Sequence, residues 1–91
     1  MLEGQCTCGS VRFRLNQQPY DTGWRHCGVC QHVSGAGGMV FTTVAHKNFL
    51  IVKGADRIGR FASSPSGERS FCKSCGSPLT IHVRHQPDEI D

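Results

Sequence analysis

Phe71-Cys72-Lys73-Ser74-Cys75-Gly76-Ser77-Pro78-Leu79 is the stretch on which the fold turns. Two cysteines three positions apart, followed by glycine, have the form of a zinc knuckle. In such a turn backbone N–H groups aim at the sulfurs, and glycine meets the φ demand. A knuckle supplies two ligands, whereas a tetrahedral ion takes four. Two other pairs are available, Cys6-Thr7-Cys8 and Cys27-Gly28-Val29-Cys30. Local spacing leaves both open as the partner.

Metal suits these six cysteines better than disulfides do. The opening MLEGQCTCGS is neither basic nor apolar, so nothing in it reads as a secretory signal. That places the chain in the cytoplasm, where close-spaced cysteines hold metal more often than they bridge. A bridge across Thr7 alone is also geometrically awkward. Size argues the same way, because 91 residues make one small domain, residues 1–91, with a modest core that benefits from a staple. Apolar residues form 37% of the chain and fall in short groups. None approaches the roughly 18 consecutive apolar residues of a membrane helix.

Working outward, Val11 to Leu15 alternates apolar and polar residues, the pattern of a strand with one wet face. Asn16 to Tyr20 reads as a turn, Cys27 to Cys30 as a tight loop, and Ser34 to Gly38 as too glycine-rich for a regular element. Met39 to Val44 predicts a buried strand, and Leu50 to Val52 another that ends at Gly54. Ala45 to Leu50 is open between one helical turn and an extended link. Arg57 to Ala62, Arg69 to Phe71 and Leu79 to Arg84 add strands, the first two joined by a turn at Ser63 to Gly67. The tail, Pro87 to Asp91, predicts no closing strand. Phe41, Phe49, Phe61 and Trp24 read as core. The class is mostly β, with antiparallel pairing and metal loops at the turns.

Four pieces in order carry a resemblance: Gly4-x-Cys6-x-Cys8-Gly9-x-Val11-x-Phe13, His26-Cys27-x-x-Cys30, Ser63-x-Pro65-x-Gly67, and Phe71-Cys72-x-x-Cys75-Gly76-Ser77-Pro78-Leu79. Together they resemble the glutathione-dependent formaldehyde-activating enzyme family, also called the CENP-V/GFA family, over nearly all of the chain. The resemblance implies an Mss4-like β-tent of small antiparallel sheets. It implies that Cys6, Cys8, Cys72 and Cys75 hold one structural Zn²⁺, which joins the two ends of the sequence. It also implies carbon–sulfur lyase chemistry on glutathione–aldehyde adducts such as S-(hydroxymethyl)glutathione.

The family's middle motif places three thiolates around a second zinc. Here Cys27 and Cys30 match two of them, while Arg25 stands at the position of the third. A guanidinium has no lone pair to offer and its charge repels a cation. His26 or His32 is an alternative ligand, and a Cys27/Cys30 dithiol is another reading of the pair. Arg25 and Arg69 are candidates to steady an anionic thiol such as glutathione. Family members run several tens of residues beyond the Pro87-Asp88 region, so the resemblance implies missing C-terminal strands. A bare sheet edge would then favour a homodimer.

The competing function is a non-catalytic, zinc-stabilised interaction module with a degenerate second metal site. Nucleic acid is a poor partner, because the net charge is only +3 and the basic residues are scattered. Gly35, Gly37 and Gly38 form no phosphate loop, since the Lys-Ser/Thr ending is absent.

Overall fold

The computed structural model describes residues 2–91. β1 (Leu2–Gln5) and β2 (Arg12–Leu15) form an antiparallel hairpin, with Glu3 opposite Arg14. Those two side chains meet at 3.9 Å on the wet face, while Phe13 and Leu15 line an interior cavity. β3 (Tyr20–Arg25) runs into a short helix, α1 (Gly28–Ser34), which Gly35 closes in the left-handed conformation. β4 (Met39–Ala45) pairs back on β3. A 3₁₀ turn at His46–Asn48 leads into β5 (Phe49–Lys53), which joins the free side of β2.

A second 3₁₀ turn at Ala55–Arg57 follows Gly54. Gly54 has φ +79°, and a Cβ there would lie 1.9 Å from the carbonyl oxygen of Ser10. Both observations demand glycine. β6 (Ile58–Ser64), β7 (Gly67–Cys72) and β8 (Pro78–Val83) then make an antiparallel meander. The short strand β9 (Glu89–Ile90) pairs with β4. The result is three small sheets, ordered β1-β2-β5, β3-β4-β9 and β6-β7-β8. The expected mostly β architecture of small antiparallel sheets is what the chain adopts.

The core is thin. Cys6, Val11, Ile58 and Cys72 pack together, with Ile51 and Leu79 against them. Of the seven buried apolar residues among those described, three are cysteines, so sulfur takes the place that aliphatic side chains fill in a larger domain.

Several expectations need correction. Tyr20 opens strand β3 rather than ending a turn, because its partner Thr43 lies on β4. Cys27 to Cys30 is no tight loop: Cys27 caps α1 and Cys30 lies inside it. β4 is only half buried, with Val40 58% exposed. Trp24 sits opposite Val40 on the edge strand β3 and is 65% exposed, and Phe61 is also exposed. Neither is core. The tail does form a strand: besides β9, the backbone of Asp91 exchanges two hydrogen bonds with Ile81, of 2.7 and 2.9 Å. Those bonds tie the second sheet to the third. Among the described residues, no helix is long and apolar enough to cross a membrane.

Candidate functional site

Two turns built alike face each other. In the first, Gly9 N–H donates to the Cys6 carbonyl and Cys6 N–H to Val11; in the second, Gly76 N–H donates to Cys72 and Cys72 N–H to Ser77. Gly9 and Gly76 both have positive φ, 77° and 79°. Ser77 Oγ accepts from Thr7 N–H at 3.0 Å and donates to Thr7 Oγ1 at 2.8 Å, which locks one turn to the other. Cys8 and Cys72 meet across 64 positions of sequence, their sulfurs 3.8 Å apart.

The sulfurs of Cys6, Cys8, Cys72 and Cys75 all lie within 4.8 Å of one another. Sulfurs held about 2.3 Å from a shared tetrahedral ion are separated by roughly 3.8 Å. The Cys6–Cys8 and Cys8–Cys72 separations of 3.6 and 3.8 Å match that edge. An all-thiolate set of this size suits a soft ion such as zinc. Local dipoles favour the thiolates: hydrogen bonding with the Ser77 side chain and with its backbone N–H lowers the Cys75 thiol to about 5. Burial pushes Cys6 up, but the Val11 N–H and the neighbouring Cys72 and Cys8 thiols bring it below its usual range. Burial dominates at Cys72 and raises it.

Cys27 and Cys30 lie elsewhere. Cys27 is exposed, its Sγ accepting from Cys30 N–H at 3.3 Å, whereas Cys30 is fully buried. Their sulfurs are 2.7 Å apart, well inside a tetrahedral edge. Hydrogen bonding with the Cys30 side chain, then with its backbone N–H, lowers the Cys27 thiol, and the charge of Arg69 adds to this. Arg69 is 6% exposed on β7. Its Nη2 donates to Cys30 Sγ at 3.3 Å, Nε to Ser63 Oγ at 3.2 Å, and Nη1 approaches Met39 Sδ at 3.6 Å. None of the ion pairs among the described residues involves Arg69.

The residues around the pair do not fit a second metal. Among the described residues, the four-sulfur cluster is the one place where three or more ligand atoms gather. His26 Nδ1 lies 3.0 Å from the Gly37 carbonyl, and His32 Nδ1 2.8 Å from the Gly28 carbonyl. A guanidinium instead contacts Cys30. Arg25 is engaged elsewhere: it pairs with the Asp91 carboxylate and lies 4.4 Å from the centre of the Phe41 ring.

Arg69 and Asp91 are the charged residues on the wall of a cavity of about 480 Å³ between the sheets, otherwise lined by Phe13, Phe41, Phe49, Phe71, Ile81 and other mainly apolar residues. That size and lining suit a small ligand with an apolar part. Sequence reasoning missed Asp91, which also accepts from Thr43 Oγ1 at 2.7 Å. No local pattern marks it, since its partners come from β3, β4 and β8. Ser63, which reads from sequence as a turn residue and as part of the third motif, lies in β6. Its role in holding Arg69 had a signal, the Ser63-x-Pro65-x-Gly67 motif six residues before the arginine.

Residues 1–90 match the family described as glutathione-dependent formaldehyde-activating enzyme. A protein of Halomonas elongata that carries that name is 32% identical over 99% of this chain. An uncharacterised lyase of Schizosaccharomyces pombe is 29% identical over 85% of it. The alignments span 61% and 54% of those two proteins' own lengths. A crystal structure of a Rhodobacter sphaeroides protein superposes with a TM-score of 0.81 at 22% identity, covering 98% of this chain and 81% of that one. The last comparison speaks to the fold, and the first settles membership: the chain belongs to the glutathione-dependent formaldehyde-activating enzyme family.

Proposed function

We propose that the protein carries one structural zinc on Cys6, Cys8, Cys72 and Cys75, and acts on adducts of a small thiol, such as glutathione, with an aldehyde. The observation that carries this reading is Arg69: a buried guanidinium on the cavity wall that already touches a sulfur. An adduct RS–CH(OH)R′ separates when its hydroxyl proton leaves and the C–S electron pair stays on sulfur. A fixed cation beside that sulfur stabilises the thiolate as it forms. This is the reaction class of carbon–sulfur lyases, and family membership supports it.

The second zinc has no part in the proposal. Arg25 stands where the resemblance calls for a third thiolate, and two sulfurs alone make a poor site. Native mass spectrometry is expected to find one zinc per chain, and Arg25→Cys is expected to raise the count to two. The activity itself is tested by NMR exchange between formaldehyde, glutathione and their adduct. Acceleration by the wild type that Arg69→Gln abolishes is the expected result; exchange no faster than buffer sinks the lyase reading.

A second reading is a zinc-stabilised interaction module without catalysis. Trp24 and Val40 favour it, since they pair across β3 and β4 and both stand open to solvent.

A further inference from the structure

Arg69 raises a question that adduct chemistry leaves aside. A buried guanidinium calls for a counter-charge, yet its near contacts are a hydroxyl, a thioether and the Cys30 thiol. Of these, only the thiol can become an anion. Cys30 is wholly buried behind Cys27, which is exposed, and the two sulfurs are in contact. No third metal ligand reaches them among the described residues. An accessible sulfur, a shielded sulfur in contact with it and a fixed cation make up the constellation of a thiol–disulfide exchange site.

We propose that Cys27 and Cys30 form a redox-active dithiol that exchanges with small disulfides, Cys27 attacking and Cys30 resolving. The Cys27 thiolate attacks one sulfur of RSSR. That S–S bond breaks, RS⁻ leaves, and Cys27 carries a mixed disulfide. The Cys30 thiolate then attacks Cys27 Sγ and expels the second RS⁻, closing the Cys27–Cys30 bond. The pair loses two electrons, RSSR gains them, and the two thiol protons pass to the released thiolates or to solvent. Arg69 positions and stabilises the resolving sulfur without touching RSSR. The exchange does not depend on the lyase reading, because a protein inert towards thiol adducts would still form this bond.

The test equilibrates the zinc-loaded wild type with reduced and oxidised glutathione in varying ratio, then alkylates and maps peptides by mass spectrometry. Two of the six thiols are expected to escape alkylation together in oxidising buffers, in a peptide joining Cys27 to Cys30. The four zinc-bound thiols keep their metal. Cys30→Ser is expected to accumulate a glutathione adduct on Cys27, and Cys27→Ser to accumulate none on Cys30. Arg69→Gln should move the midpoint towards more reducing buffers, by about tenfold in the glutathione ratio, because the thiolate loses its counter-charge. Arg69→Lys should restore part of that shift. A wild-type pair that stays reduced in fully oxidised glutathione overturns the proposal. So does one that stops at the mixed disulfide, or one found holding a second zinc.

Discussion

Tyr20 shows how much one side chain decides in so thin a fold. Its hydroxyl donates to the Glu89 carboxylate, joining the first residue of β3 to β9 across 69 positions. That bond, with burial and the nearby charge of Glu89 and Asp21, raises the phenol to about 12. A phenol normally ionises near 10. The neutral form is therefore the one that folding favours. Its contribution is complete below about pH 10 and fades as pH climbs towards 12. Tyr20 is the chain's sole tyrosine, so ultraviolet titration reads it directly: tyrosinate absorbance is expected near pH 12 in the native protein and near 10 in urea. Native ionisation at the ordinary value would mean the Glu89 contact does not form in solution. Asp91 makes a second such link. Asp91→Ala strands Arg25 and Thr43 and is expected to cost about 2 kcal/mol, read from the urea midpoint.

The elements differ in how plainly sequence announces them. Gly54 is required by the bend between β5 and β6, and Gly54→Ala is expected to cost more than about 1 kcal/mol in chemical denaturation. A loss within error would show that Ser10 yields. β2 and β6 were legible because alternation over several residues is the signature of a half-buried strand. The two metal turns were legible because spacing within four residues encodes them. β3 was not: Asp21, Thr22 and Gly23 are poor strand formers, and only pairing with β4 holds them extended. α1 is seven residues long, too short for a helical period to declare itself. Its presence turned Cys27 and Cys30 from loop residues into a cap and a buried neighbour. β9 has two residues, and what makes it a strand lies over forty positions earlier, in β4. The candidate site divides the same way: the six cysteines stand out at once and a motif marks Ser63, whereas the role of Asp91 comes from topology.

For the molecule as a whole, the four-sulfur cluster is expected to behave as part of the folding equilibrium rather than as an accessory. Metal binding at such sites is folding free energy, of order 10 kcal/mol or more in small zinc domains. Removing the ion with a strong chelator should therefore abolish the β-type circular dichroism, and adding zinc back should restore it. Cys72→Ser should do the same without chelator, because it removes a ligand that is also core. Retention of full ellipticity after metal removal would assign the staple to hydrophobic packing instead. Because cysteines are three of the seven buried apolar positions among the described residues, a newly made chain has little else with which to collapse. If the cluster takes zinc as proposed, a cell starved of that ion leaves the chain open to proteases, so its abundance should rise and fall with metal supply, making its half-life a gauge of that supply.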